Sequence, residues 1–97
     1  MMPIYITYMD MTQKGAETVK EAHQRIAEAT QGIQAAGGRV IGAYATLGRY
    51  DYVWITEFPD SKVAWSVLVK AVMHGTINTE TVEALPVEEF LQIVAQA

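Results

Sequence analysis

The apolar residues of this chain change their spacing along its length, and the order of the changes leaves few folds open. Ile4-Tyr5-Ile6-Thr7-Tyr8-Met9 is β-branched and aromatic, the composition of a strand. Asp10 and Thr12 are residue types that end such a strand and cap a helix. From Ala16 the spacing is helical: Val19, Ile26 and Ile33 recur every seven residues, with Ala22, Ala29 and Ala36 three further on. Glu17, Lys20, Glu21, Gln24, Glu28 and Gln31 take the opposite face. The helix is therefore amphipathic, with a narrow alanine seam suited to close packing on a sheet.

Gly37-Gly38 stops that helix, and Arg39 to Leu47 follows as a strand apolar on both faces. Gly48-Arg49-Tyr50-Asp51 connects it to a third strand, Tyr52 to Phe58, so the two form a hairpin. Pro59-Asp60 ends the third strand, and Asp60 is placed to cap a helix over Ser61 to Met73. Only Lys62, Ser66 and Lys70 interrupt the apolar coat of that helix, as in a helix covered on more than one side. His74-Gly75 closes it. Ile77 to Leu85 alternates as a half-buried fourth strand. Pro86 suits the first position of a short last helix, with Glu88 and Glu89 in its first turn and Phe90, Leu91 and Val94 on its apolar side. The order β-α-β-β-α-β plus a C-terminal helix predicts an α+β, ferredoxin-like sandwich of four antiparallel strands with two helices on one face. The 97 residues fill a single such domain, 1–97.

In this topology one sheet face carries the helices and the other is left open. Strand parity assigns the purely aliphatic Val53 and Ile55 to the helix side, with Ile4, Ile6, Ile41, Ala43 and Val82. The opposite parity gives Tyr5, Thr7, Met9, Tyr44, Thr46, Trp54, Thr56, Thr79 and Thr81 on the open face. That mixture is too apolar for free solvent and too polar for a dry core. It predicts a homo-oligomer joined sheet to sheet, the commoner meaning of a large apolar patch. It also fits a ligand cavity on the open face for a small apolar or aromatic molecule, lined by Tyr5, Thr7, Thr46, Trp54 and Thr56 and rimmed by Tyr50 and Asp51. A β-bulge near Gly42 would invert part of the second strand.

The charge balance, 7 Lys+Arg against 11 Asp+Glu, argues against a binder of phosphate backbones, so no nucleic-acid partner is expected. With no cysteine, thiol catalysis, thiolate-ligated metals and disulfides are excluded. No apolar run approaches the roughly 18–20 residues that span a bilayer, and Met1-Met2-Pro3 lacks the basic start of a signal peptide. A cytoplasmic protein without a membrane partner is the expectation. His23 and His74 lie on different elements without a carboxylate at ligand spacing, so neither a metal site nor a cofactor is expected. His23 reads as a boundary residue. His74 ends the second helix, where the dipole favours an imidazolium, and reads first as a cap. Gly48-Arg49-Tyr50-Asp51 reads first as a hairpin turn and second as a cavity rim offering charge and a hydroxyl. Glu80, a carboxylate inside a strand, calls for Arg39, Arg49 or solvent as partner. Nothing marks a nucleophile; His74 and Asp51 are the acid–base candidates of an enzyme reading.

Pro3-x-Tyr5-x-Thr7, Thr12-x-x-Gly15, Gly37-Gly38-Arg39-Val40, Thr46-Leu47-Gly48-x-Tyr50-Asp51 and Thr79-Glu80-Thr81 together resemble the GYD-domain family over essentially the whole chain. The most specific part is Thr46 to Asp51, before a hydrophobic strand. The resemblance implies a small stand-alone bacterial or archaeal protein of dimeric α/β-barrel type, and it implies no activity. A broader resemblance in fold is to the antibiotic-biosynthesis-monooxygenase and haem-degrading group. Trp65 and His74 are comparable to a Trp and a His late in the second helix of the haem-degrading members, but those members use an Asn in the first strand, where this chain has Tyr5 and Thr7. Three functions follow: a small-molecule-binding homo-oligomer, a cofactor-poor monooxygenase- or isomerase-like enzyme on an aromatic or haem-like substrate, and a structural self-association module.

Overall fold

Residues 2–97 are described by a computed structural model. β1 (Ile4–Met11), α1 (Gln13–Glu17), a 3-10 turn (Val19–Glu21), α2 (Ala22–Ala35), β2 (Arg39–Ala45), β3 (Tyr52–Glu57), α3 (Ser61–Met73), β4 (Ile77–Ala84) and α4 (Val87–Gln96) follow in that order. The strands form one antiparallel sheet in the order β2-β3-β1-β4, the ferredoxin-like α+β arrangement the periodicity predicts.

The first helical stretch is broken where a single helix was expected. Thr12, not Asp10, caps α1: its hydroxyl accepts from the Gly15 amide at 3.1 Å and donates to the Gly75 carbonyl at 2.7 Å. At Thr18 the hydroxyl donates back to the Lys14 carbonyl at 2.7 Å and receives the Arg25 guanidinium, and the backbone leaves helical geometry (φ −113°, ψ 26°). A side chain that bonds its own turn competes with the helix ladder. α3 begins as expected, with the Asp60 carboxylate accepting from the Val63 amide at 3.0 Å. Pro86 stands one position before α4, as its N-cap.

Burial reverses the expected faces of the sheet. Tyr5 and Trp54 are buried with Phe58 against Ile33 of α2 and Ala64 of α3, so the face carrying Tyr5, Thr7, Trp54 and Thr56 lies beneath the helices. Register then places Ile4, Ile6, Val53, Ile55 and Val82 together on the outer face. Aliphatic character marks a face that avoids water; it does not say which of two such faces the helices take. Threonine is tolerated inside because its hydroxyl can be paired, as in the 2.9 Å bond between Thr7 Oγ1 and Thr81 Oγ1. The register also slips between Val40 and Gly42. Beyond this bulge Ala43 pairs with Trp54 and Tyr44 with Val53, so Ala43 faces the helices and Tyr44 faces outward as expected, but each shares its face with the β3 residues expected on the other.

Much apolar surface is left uncovered. A folded monomer of this mass exposes about 5,500 Å², whereas this chain exposes 6819 Å². α4 shows why in part: Val87, Phe90, Leu91 and Val94 recur at helical spacing on one side, and all are exposed.

Candidate functional site

Between the helix layer and the sheet lies a chamber of about 530 Å³. Thr7, Met9, Tyr52, Trp54 and Thr56 form its floor; Ile26, Ala29 and Ile33 of α2 and Val67 and Ala71 of α3 form its walls. The alanine seam of α2 makes the room, since Ala22 and Ala29 present a methyl group where a longer side chain would reach the floor. The lining is mostly apolar with a few hydroxyls, the chemistry of a small-molecule site. Thr56, a floor residue only 3% exposed, has a buried Oγ1 without a hydrogen-bond partner. Arg25, Glu28, Lys70 and His74 stand among the lining residues and are the charged or titratable groups carried by its helices and their ends.

A smaller groove of about 360 Å³ runs between α3 and β4, lined by Tyr5, Trp65, Leu68 and Val69 among others. Tyr5 pairs in register with Thr56, and its buried hydroxyl is also unpartnered. Burial, then the carboxylates of Glu83 and Asp60, push the Tyr5 phenol above its ordinary pKa. An unfolded tyrosine ionises near pH 10 while the folded one holds its proton, so this contribution to stability is present below about pH 10 and is lost as pH rises further. Tyr5→Phe is therefore expected to fold at least as stably at neutral pH and to lose less stability between pH 9 and 11, measured by urea denaturation at each pH. A larger alkaline loss in the variant would refute this.

The residues Gly48, Tyr50 and Asp51 perform a different task. Gly48 adopts φ +109° in the connection between β2 and β3. The Thr46 amide donates to the Asp51 carbonyl at 2.8 Å, and the Thr46 hydroxyl to the Tyr50 carbonyl at 2.6 Å. The Asp51 amide donates to the Met9 carbonyl at 2.8 Å, and the Asp51 carboxylate accepts from the Met11 amide at 2.7 Å. The Tyr50 hydroxyl donates to Glu80 at 2.7 Å, its ring lies 5.0 Å from that of Tyr8, and Arg49 stands 5.3 Å above it. The bond to Glu80 raises the Tyr50 pKa. The loop is thus clipped to β1 and β4 across the end of the sheet. Glu80 finds neither Arg39 nor Arg49 as its partner; Arg39 pairs instead with Glu57 at 2.6 Å.

Of the ligand residues expected from sequence, Thr7, Trp54 and Thr56 line the chamber and Tyr5 the neighbouring groove, all beneath the helices rather than on the open face. Thr46 and Tyr50 line neither. His74 lines the chamber but Asp51 does not, its carboxylate being held on the Met11 amide, so the acid–base pair is not assembled there. Met9 shares the expected strand face but is not among the expected ligand residues, nor are Tyr52, Arg25 and the α2 and α3 walls; the alanine seam, legible in the sequence, predicts close packing on the sheet rather than a gap. Among the described residues no three His, Asp or Glu side chains gather as a metal site, and no helix is long and apolar enough to cross a membrane.

The GYD domain model matches residues 5–94. A relative from Thermus thermophilus, named glutamine synthetase and cystathionine beta-lyase binding protein, is 34% identical over 91 residues, covering 93% of this chain and 96% of the relative. Among solved structures, the feast or famine regulatory protein of M. tuberculosis, complexed with L-methionine, superposes with a TM-score of 0.64 at 12% identity. That match covers 87% of this chain and 50% of the regulator, so the chain spans about half of its length. An uncharacterised NIPSNAP-like domain protein from Burkholderia xenovorans gives a TM-score of 0.56 at 16% identity, covering 88% of this chain and 84% of that one. Identities this low show a shared fold.

Proposed function

The chain belongs to the GYD-domain family, and from that footing we propose that it is a homo-oligomeric binding protein whose copies pair through the outer sheet face and each hold a small apolar or aromatic ligand under the helices. The chamber carries this reading: a half-open apolar space of about 530 Å³ floored by Trp54 and its strand neighbours. An apolar cleft of this size, lined by a few polar groups, is the usual form of a small-molecule site. The surface excess supports pairing, since roughly 1,300 Å² beyond a monomer's ordinary surface is of the order that one partner contributes to an obligate interface. Ile4, Ile6, Val53, Ile55 and Val82 would form the centre of that interface, and a two-fold axis would set each patch against its own copy.

Native mass spectrometry of untagged protein taken from cells without refolding tests both halves. A multiple of the 10.7 kDa chain plus a constant extra mass per subunit is the expected result. A bare multiple would leave the oligomer without a ligand, as the self-association reading requires. A bare monomer would overturn the proposal.

A second reading draws on the Thermus thermophilus relative, whose name describes binding to two enzymes. On that reading the aliphatic face, or the exposed stripe of α4, receives an enzyme of this kind in place of a second copy. Mixing the purified chain with a glutamine synthetase and a cystathionine beta-lyase in analytical ultracentrifugation separates the two. A heavier boundary containing the enzyme, formed as the homo-oligomer disappears, would favour the enzyme partner.

A further inference from the structure

We infer that the chamber takes an organic monoanion, an apolar or aromatic body bearing one carboxylate, with the body over Trp54 and the carboxylate at the mouth beside Arg25, Lys70 and His74. This rests on the small-molecule reading above and specifies its ligand. The floor offers no charged partner: Thr7, Met9, Tyr52, Trp54 and Thr56 are neutral. An ionised group pushed onto that floor would be desolvated without compensation, which is prohibitive, so a charged ligand must keep its charge at the edge.

The charged or titratable lining residues sit on α2 and at or near the end of α3, and cations outnumber acids among them. Lys70 and His74 take part in no ion pair among the described residues, whereas Arg25 pairs with Glu21 at 3.9 Å and donates to the Thr18 hydroxyl. Glu28, the one acid, already accepts from Gln24 at 3.1 Å. On a chain with net charge −4, the unpaired Lys70 and His74 beside an apolar cavity favour an anion over a neutral or cationic analogue.

The test uses three probes of one shape: 3-phenylpropanoate, 3-phenylpropanol and 3-phenylpropylammonium. Affinities come from calorimetry. The indole N–H resonance of Trp54, made unique by Trp65→Phe, reports occupation of the chamber, and Ala71→Phe fills the chamber as a control. The carboxylate is expected to bind about tenfold more tightly than the alcohol or the ammonium, the size of one charge-assisted hydrogen bond. The Arg25→Gln/Lys70→Gln double variant should lose that preference. Equal affinities across the series, or a preference for the ammonium, would overturn the anion inference while leaving the small-molecule reading in place. If no probe shifts the Trp54 signal at millimolar concentration, or if binding survives Ala71→Phe, the chamber is not the site and both fall.

Discussion

Gly15→Ala is expected to destabilise the protein by about 3 kcal/mol, the upper range for forcing a carbon atom into a filled space. For a domain of this size that lowers the melting temperature by roughly 12–24 °C. A Cβ at Gly15 would lie 2.1 Å from the Thr76 carbonyl oxygen and 3.1 Å from its carbon. Those atoms are backbone and cannot rotate aside. They are also held in place: the Thr12 amide donates to the same Thr76 oxygen at 3.0 Å, and the Thr12 hydroxyl binds the adjacent Gly75 carbonyl at 2.7 Å. Relief therefore requires α1 to lift from the turn between α3 and β4, breaking both bonds. Gly32→Ala is the matched control, because a Cβ there meets nothing within 4 Å. In the interior of α2 it should add about 0.5–1 kcal/mol by helix propensity. Thermal melts of the two variants decide the matter. If Gly15→Ala melted within a few degrees of the wild type, α1 would not sit against the turn as described.

The same contact explains part of what the sequence made legible. Thr12, Gly15, Tyr50 and Asp51 stand out as motif residues, and each is engaged in holding one segment to another: Thr12 and Gly15 join α1 to the α3–β4 turn, while Tyr50 and Asp51 join the β2–β3 loop to β4 and β1. Element order could be read because period two and period 3.6 are local properties. The facing of the sheet could not, because it depends on which apolar surface the helices choose. Val53 and Ile55 are aliphatic and outside; Thr7 and Thr56 carry hydroxyls and are inside. Alternation does not carry through β2 either: the extra residue at Ile41 shifts the pairing, and Ala43 and Tyr44 keep their expected faces only because this shift cancels the reversal of the sheet. The chamber eluded sequence reasoning for a related reason. Trp54, Thr7 and Thr56 are identifiable as neighbours on one strand face, but the gap above them depends on how far α2 and α3 stand from the sheet.

Ile55→Lys is expected to turn the oligomer into a monomer at micromolar concentration. Ile55 lies opposite Ile6 in register, with Ile4, Val53 and Val82 around it, at the middle of the outer face. In the separate chain Ile55 is only partly buried, so a lysine there can extend its amine into water and the fold survives. In a two-fold pair each copy contributes the substitution, and the two ammonium groups meet across the axis without partners. Desolvating them costs several kcal/mol per ion, which raises the dissociation constant by about a hundredfold or more for every 3 kcal/mol. Leu47→Lys serves as the control, because Leu47 is fully exposed on the β2–β3 connection and should leave the mass unchanged. Sedimentation equilibrium across a dilution series reads the difference. The chamber lies on the opposite side of the sheet, so a monomeric Ile55→Lys that still binds 3-phenylpropanoate would show that pairing and ligand binding use separate faces. A dimer persisting at nanomolar concentration in Ile55→Lys would mean that copies meet elsewhere, with the exposed stripe of α4 as the next surface to test.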